Sequence, residues 1–316
     1  MSKILVTGAG GFVGIGVVSS LLKDSEKEVV AIVRRRVKAL PDHCQLELLD
    51  ISNLDEFNFP DDVEIVIHLA AKIEGLSSYD EFFQENVTKT ENLATLSQSK
   101  GVKRFIFLSS LKVNGEQTKS GEAFFADSTP RPEDFYGISK YEAEQRLLAL
   151  ASKSAMDVVI VRPPLIYGVG VKGNFALLVK LVKKVKVLPF RSIKNFRSML
   201  ALENLVDFIK LCADIKRSPK AKNEIFLISD DEDISTGDLL KKIAGAYQVN
   251  LRLFYVPHAL MSFFARILGR SSLCLRLCGS LQADISKTRN YLGWKPVITM
   301  EDQLMKMAQA ESEELN

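Results

Sequence analysis

The chain has 316 residues, 47% hydrophobic and 26% charged, with a formal net charge of +3. That balance fits one large domain with a smaller companion, and the charge is too small to argue for nucleic acid or a membrane surface as a partner. Cys44, Cys212, Cys274 and Cys278 form no Cys-x-x-Cys pair, and His43, His68 and His258 have no metal-ligand spacing, so neither a disulfide framework nor a metal site is expected.

In chain order, short apolar runs at 4–6, 29–33, 46–48, 65–68, 105–108 and 158–161 predict strands, and 81–100 and 136–153 predict helices between them. Strands that are apolar throughout have both sheet faces covered. The expected fold is therefore α/β: a Rossmann-type doubly wound parallel sheet, with helices on both faces and right-handed crossovers. Gly168, Gly170 and Gly173 mark a loop, followed by helices at 175–184 and 203–214 and a strand at 224–228. Residues 230–316 read as mostly helical, with a strand near 251–256. The organisation is a dinucleotide-binding unit of 1–165, its sheet completed by about 199–229. A smaller, mostly helical substrate-binding portion comes from 166–198 and 230–316. No apolar run reaches the ~20 residues of a membrane span. The nearest, 257–281, is interrupted by Arg266, Arg270 and Arg276 and reads as a helical flap over a cleft, with a peripheral membrane contact as the alternative. With a strand starting at Lys3 and no signal peptide, a soluble, cytoplasmic protein is expected.

Residues 7–14, Thr-Gly-Ala-Gly-Gly-Phe-Val-Gly, join the first strand to the first helix. Gly8, Gly11 and Gly14 let the backbone turn tightly and approach a pyrophosphate at the helix N-terminus, with Phe12 and Val13 in the same loop. Enzymes that prefer NAD usually carry an acid after the second strand; here Arg34, Arg35 and Arg36 follow it. Arginine would pair with a 2′-phosphate, so NADP(H) is favoured and NAD stays possible. Asp50, after the third strand, is placed to accept a hydrogen bond from the adenine amino group.

Tyr136 and Lys140 lie one turn apart on one helix face. An ammonium beside a phenol lowers the phenol's pKa and gives a proton donor and acceptor usable near neutral pH. Tyr291 and Lys295 share this spacing, but Gly293, Trp294 and Pro296 make that segment a turn. Ser109 and Ser110 follow the fifth strand, at the carboxyl end where parallel sheets bind ligands, and are expected to point towards the nicotinamide.

With these motifs the chain resembles the extended short-chain dehydrogenase/reductase family, in its nucleotide-sugar epimerase, dehydratase and ketoreductase branch. The resemblance runs over nearly the whole chain. It rests on 7–14, Asp50-Ile51, His68-Leu69-Ala70-Ala71, Asn86, Ser109-Ser110, Tyr136 to Lys140, Arg162-Pro163-Pro164-Leu165-Ile166-Tyr167-Gly168, Asp284 to Lys287 and Leu292-Gly293-Trp294. It implies that Tyr136 is the general acid/base, that Lys140 tunes it and bonds the nicotinamide ribose, and that Ser110 holds the reacting oxygen. It assigns Ile51, Leu69, Ala70, Ala71, Asn86, Ser109 and Pro163 to the cofactor side. Asn86 also steadies the end of the fourth strand. Arg197 is implied to bind a substrate diphosphate, with Asn174 a nucleotide contact. No metal is implied, and a homodimer pairing the helices at 81–100 and 136–153 is.

The implied activity is chemistry at C4 of a nucleotide sugar. Three departures, Arg34 for an acid, Asn114 for a tyrosine and Leu165 near the position of an asparagine, weigh against a plain UDP-glucose 4-epimerase. The absence of a Thr-Asp-Glu run after the fifth strand weighs against a dehydratase. The leading expectation is an NADPH-dependent reductase of a UDP-4-keto-6-deoxy-hexosamine in surface-polysaccharide precursor synthesis. The alternatives are a nucleotide-sugar 4-epimerase with bound NAD, a hydroxysteroid-type dehydrogenase and a non-catalytic NADP(H)-binding regulator.

Overall fold

Short, mostly apolar runs form the strands β1 (Ser2–Thr7), β2 (Lys27–Val33), β3 (Gln45–Leu48), β4 (Val63–His68), β5 (Arg104–Leu108) and β6 (Asp157–Arg162). Shorter strands follow: β7 (Leu165–Tyr167), β8 (Val187–Leu188), β9 (Met199–Ala201), β10 (Glu224–Leu227) and β11 (Arg252–Leu253). The computed structural model describes residues 2–35, 37–41, 45–48, 57–73, 78–119, 121–267, 269 and 271–314. The expectations on Arg36, Asp50 and Ile51 lie outside the described residues.

Seven strands form one sheet in the order β3-β2-β1-β4-β5-β6-β10, every pair parallel. The order reverses at β1 and β4, so a crevice opens beyond their carboxyl ends. Strand residues alternate between faces. Ile4, Val6, Ile65, Ile67, Val159 and Val161 pack with helices α1 (Phe12–Leu21) and, further along the chain, α6 (Leu202–Ala213). Leu5, Val66, Phe105, Phe107, Val158 and Ile160 face the other way. That side is covered by α3 (Lys89–Ser99) and α4 (Phe135–Ala151), through Leu93, Ala143 and Leu147. Burying each such leucine stabilises the fold by roughly 1.5–3 kcal/mol.

The expected single helix over 81–100 is three pieces: α2 (Tyr79–Phe83), a π-helical turn (Gln84–Thr88) and α3. The wider turn contains Asn86, whose side chain bonds the backbone of Lys72. Of the segment expected to complete the sheet, only β10 joins it, beside β6, whereas β9 pairs with β7 in a separate small sheet.

The remaining portion packs α5 (Gly173–Lys184), α7 (Thr236–Ala246) and α11 (Met300–Glu314) around Tyr167, Phe175, Leu240, Ile243 and Met300. It is fastened to the sheet portion by buried polar bonds. Asp230 accepts from Tyr167 Oη at 2.7 Å, the Ala201 amide at 2.8 Å and Asn204 Nδ2 at 2.7 Å. Asn204 in turn holds the backbone of Val297 and Ile298. α10 (Ser286–Leu292) ends at Gly293 in the left-handed region, so Tyr291 and Lys295 fall on either side of a helix stop, as expected. Two further helices, α8 (His258–Ile267) and α9 (Ser271–Cys278), pack on one another.

Candidate active site

The glycine loop is shaped by contacts that exclude side chains. Gly8 has φ +67°, and a Cβ there would lie 2.7 Å from the Ala70 amide nitrogen. A Cβ on Gly14 would lie 2.2 Å from the Gly8 carbonyl. Gly8 is therefore what lets the residues after β4 approach β1, and Gly14 what lets α1 start against the loop. Gly11 caps α1 in an extended conformation, with no side-chain bond to the first turn. The unfilled amides at this N-terminus suit a pyrophosphate, so the loop fits a dinucleotide. Phe12 and Val13 open α1, half-buried.

The β4 end is held by a buried relay. Thr7 Oγ1 bonds His68 Nδ1 at 2.6 Å, and His68 Nε2 bonds Thr90 Oγ1 at 2.9 Å. Burial pushes His68 down to about 3, with Lys140 adding, so the imidazole is neutral. Leu69, Ala70 and Ala71 run out of β4, half-buried. Asn86 then clamps Lys72, accepting from its amide at 2.8 Å and donating to its carbonyl at 2.9 Å. It also donates to Ser139 Oγ on α4 at 3.0 Å. Asn86 is 1% exposed, with both amide hydrogens used inside the protein. Across the crevice, Arg34 and Arg35 lie exposed directly after β2 and form no ion pair among the described residues.

Tyr136 and Lys140 lie on the first turns of α4, where Asp134 caps the Gly137 amide at 2.7 Å. The Ser110 side chain is close enough to the Tyr136 hydroxyl to favour its charged form. Ser110 itself caps a 3-10 turn, accepting from the Lys112 amide at 3.2 Å. Lys140 is 1% exposed, its Nζ 4.2 Å from the Phe107 ring centre. Pro163, buried at the end of β6, accepts the Leu111 amide at 2.9 Å and so ties this turn to the sheet.

Two expectations need correction. Tyr136 is not lowered: burial raises its hydroxyl well above the usual tyrosine range, Asp134 adds to this, and only Ser110 opposes it. Burial also lowers Lys140 to about 7, with Glu144 partly countering. Desolvation disfavours both charged forms and is the largest cause of both shifts. Ser109 does not point with Ser110. Its hydroxyl donates to Glu144 on α4, because neighbouring residues of an extended chain face opposite ways.

Glu144 was not anticipated. It is fully buried and takes a two-pronged bond from Arg162, Nε to Oε1 at 2.9 Å and Nη2 to Oε2 at 2.5 Å. Arg162 also donates to Asn114 Oδ1 at 3.0 Å, and Asn114 donates to the Phe125 carbonyl. Asn114, a departure from the family pattern, thus has a bracing role. The sequence held a signal for Glu144: it continues the Tyr136–Lys140 face one further turn.

An ion-pair chain leads from α4 towards Arg197. Lys112 pairs with Asp134 and, at 2.8 Å, with Glu116, whose charge supports the Arg197 guanidinium. Arg197 donates to the Gly279 carbonyl at 3.0 Å; burial and Arg276 weigh against its charge. Asn174 is exposed at the first turn of α5 and shares no hydrogen bond or ion pair with these groups among the described residues.

The fold is shared with a UDP-glucose 4-epimerase from Thermotoga maritima solved with UDP-glucose, at TM-score 0.79 and 21% identity, over 99% of this chain and all of that one. A UDP-glucose 4-epimerase of Vibrio cholerae is 43% identical over 98% of this chain and 95% of its own length. A 3 beta-hydroxysteroid dehydrogenase/Delta 5-->4-isomerase of Mycobacterium tuberculosis is 32% identical over 78% of this chain and 70% of its own. Residues 4–228 match the model of the NAD dependent epimerase/dehydratase family. The chain belongs to that family and is an enzyme of it.

Proposed function

We propose that the protein is a 4-epimerase of a UDP-hexose or UDP-N-acetylhexosamine, working with bound NAD. The observation that carries this reading is the 43% identity, almost end to end, to a UDP-glucose 4-epimerase. The glycine loop and α1 would hold the dinucleotide, with Ser110, Tyr136 and Lys140 at its nicotinamide end and Arg197 at the sugar diphosphate. The dinucleotide supplies the oxidant that accepts and returns the C4 hydrogen with its electron pair.

Tyr136 takes the proton of the C4 hydroxyl and later gives it back. Ser110 donates to the same oxygen and fixes its distance from Tyr136. To take that proton Tyr136 must first give up its own and be a phenolate; burial alone favours the phenol, so the phenolate would need the positive charge of Lys140, one turn along the helix, and of the bound oxidised dinucleotide. Arg197 fits the diphosphate because a guanidinium presents paired donors to phosphate oxygens. A homodimer through α3 and α4 accompanies this reading.

A second reading, an NADPH-dependent reductase of a 4-keto nucleotide sugar, is favoured by one observation, exposed Arg34 and Arg35 where an acid would select NAD. The test is to incubate pure protein with UDP-glucose or UDP-GlcNAc and a catalytic amount of NAD. Formation of the C4 epimer supports the epimerase. Stoichiometric consumption of NADPH with a 4-keto-6-deoxy sugar, and no epimer, replaces it with the reductase. Tyr136→Phe should lower kcat by about 10²–10⁴ while circular dichroism and dinucleotide binding stay unchanged.

A further inference from the structure

We propose that the α8–α9 hairpin, with the basic strap of residues 183–197 beside it, is a peripheral docking face for an anionic phospholipid surface. The inference stands whichever sugar the site takes.

Leu260, Phe263, Phe264 and Ile267 fall at i, i+3, i+4 and i+7 of α8, one helical stripe. On a helix of a globular core this stripe faces inward. Here all four are exposed, Phe263 at 58% and Ile267 at 64%. Phe254, Tyr255, Val187 and Leu275 extend the exposed apolar surface beyond the stripe. Among the described residues of the two helices, Met261, Leu277 and Cys278 pack against the buried cluster beneath. Contiguous apolar surface of this kind marks a partner.

Charge identifies the partner. No Asp or Glu occurs between Asp157 and Glu203, or between Asp238 and Asp284. Over the same stretches the strap contributes Lys183, Lys184, Lys186, Arg191 and Lys194, and the hairpin region Arg252, Arg266 and Arg276. The two are joined at both feet of the hairpin. β11 pairs with β8, the Arg191 amide donates to the Phe254 carbonyl, and Asn195 Nδ2 donates to the Gly279 carbonyl at 2.9 Å. Lys183 pairs with Glu311, whereas Arg191, Lys194, Arg252, Arg266 and Arg276 are exposed and form no ion pair among the described residues.

A cavity of about 310 Å³ opens beside Leu253, lined by Arg191, Lys194 and Lys241, with Asp238 pairing Lys241 at 2.9 Å. An apolar stripe flanked by cations is the pattern of a helix that lies in a membrane interface, its apolar face among acyl chains and its cations at anionic headgroups. A second copy of the same face would bring like charges together. No helix among the described residues is long and apolar enough to cross a membrane, so the contact is peripheral. Docking by this face would hold Arg197, bonded to Gly279 at the hairpin's foot, beside the lipid surface.

The experiment is cosedimentation of the full chain with vesicles of one part phosphatidylglycerol to two parts phosphatidylcholine. The wild type should bind at low salt and lose about tenfold on phosphatidylcholine alone or at high salt. Phe263→Asp combined with Phe264→Asp should abolish binding while leaving the circular dichroism and turnover of a water-soluble UDP-sugar unchanged. Arg266→Glu, at an exposed residue without an ion pair among the described residues, should weaken binding about tenfold and serves if the double variant misfolds. Failure of the wild type to bind the anionic vesicles overturns the proposal. So does binding that survives both variants. Concentration-dependent dimerisation that the aspartates abolish assigns the face to a second copy, and also overturns it.

Discussion

Glu144 links Ser109, Arg162 and, through its field, Lys140 in one buried cluster. Removing it strands the Arg162 guanidinium without its counter-charge. Glu144→Ala should therefore cost about 3–5 kcal/mol in denaturant unfolding, and Glu144→Gln, which keeps an acceptor oxygen, should cost less. His68 makes a pH prediction. Its folded pKa, about 3, lies below the ordinary value of 6.5, so the unfolded chain binds a proton first as pH falls. Stability is kept above pH ~6.5 and declines by about 1.4 kcal/mol per pH unit from there towards pH 3. His68→Gln, which can bond Thr7 and Thr90 without titrating, should flatten this decline between pH 6.5 and 5. An equal slope in the variant would show that other groups cause it. Lys140 runs by the same sign: its lowered pKa makes stability rise with pH from about 7 towards 10.5.

At the level of elements, the site is built where β1, β4, β5 and β6 end and where α1 and α4 begin. The β1–α1 loop has no room to adjust, since Gly14 faces the Gly8 carbonyl and the Ala9 Cα. Gly14→Ala should lower dinucleotide affinity at least about 100-fold, corresponding to ~2.7 kcal/mol, and lower the unfolding midpoint as well. Isothermal titration beside a denaturant curve separates the two effects. The π-helical turn has a similar local purpose. It faces Asn86 towards Lys72 and Ser139, which joins the segment after β4 to α4.

At the scale of the molecule, the sheet carries the cofactor loop and Tyr136, while the helical portion carries Arg197, and Asp230 with Asn204 fastens the two. A sugar diphosphate bound between them should stabilise both together. Arg34 lies exposed at the end of β2, where we propose that it bears on cofactor choice. Thermal unfolding with saturating NAD or NADP should reveal the preference, because a ligand at 100 times its Kd adds about 2.7 kcal/mol. Arg34→Asp should shift the preference towards NAD by at least about tenfold, roughly 1.4 kcal/mol. No change in the ratio of affinities would remove Arg34 from the cofactor site.

Local pattern carried much of this in the sequence. Apolar runs located the strands of the main sheet, and glycine spacing located the dinucleotide loop, because strand period and turn chemistry are properties of neighbouring residues. The helix holding Tyr136 and Lys140 was legible for the same reason, and Gly293 distinguished it from Tyr291 and Lys295. What depended on distant partners was not legible. Ser109 turns to Glu144, Tyr136 rises in pKa, β9 leaves the main sheet for β7, and the apolar stripe of α8 faces outward. Sequence by itself determined which segments form elements and which residues are candidates for the chemistry. Only the tertiary structure decided their direction, burial and ionisation, because those follow from what packs around each group.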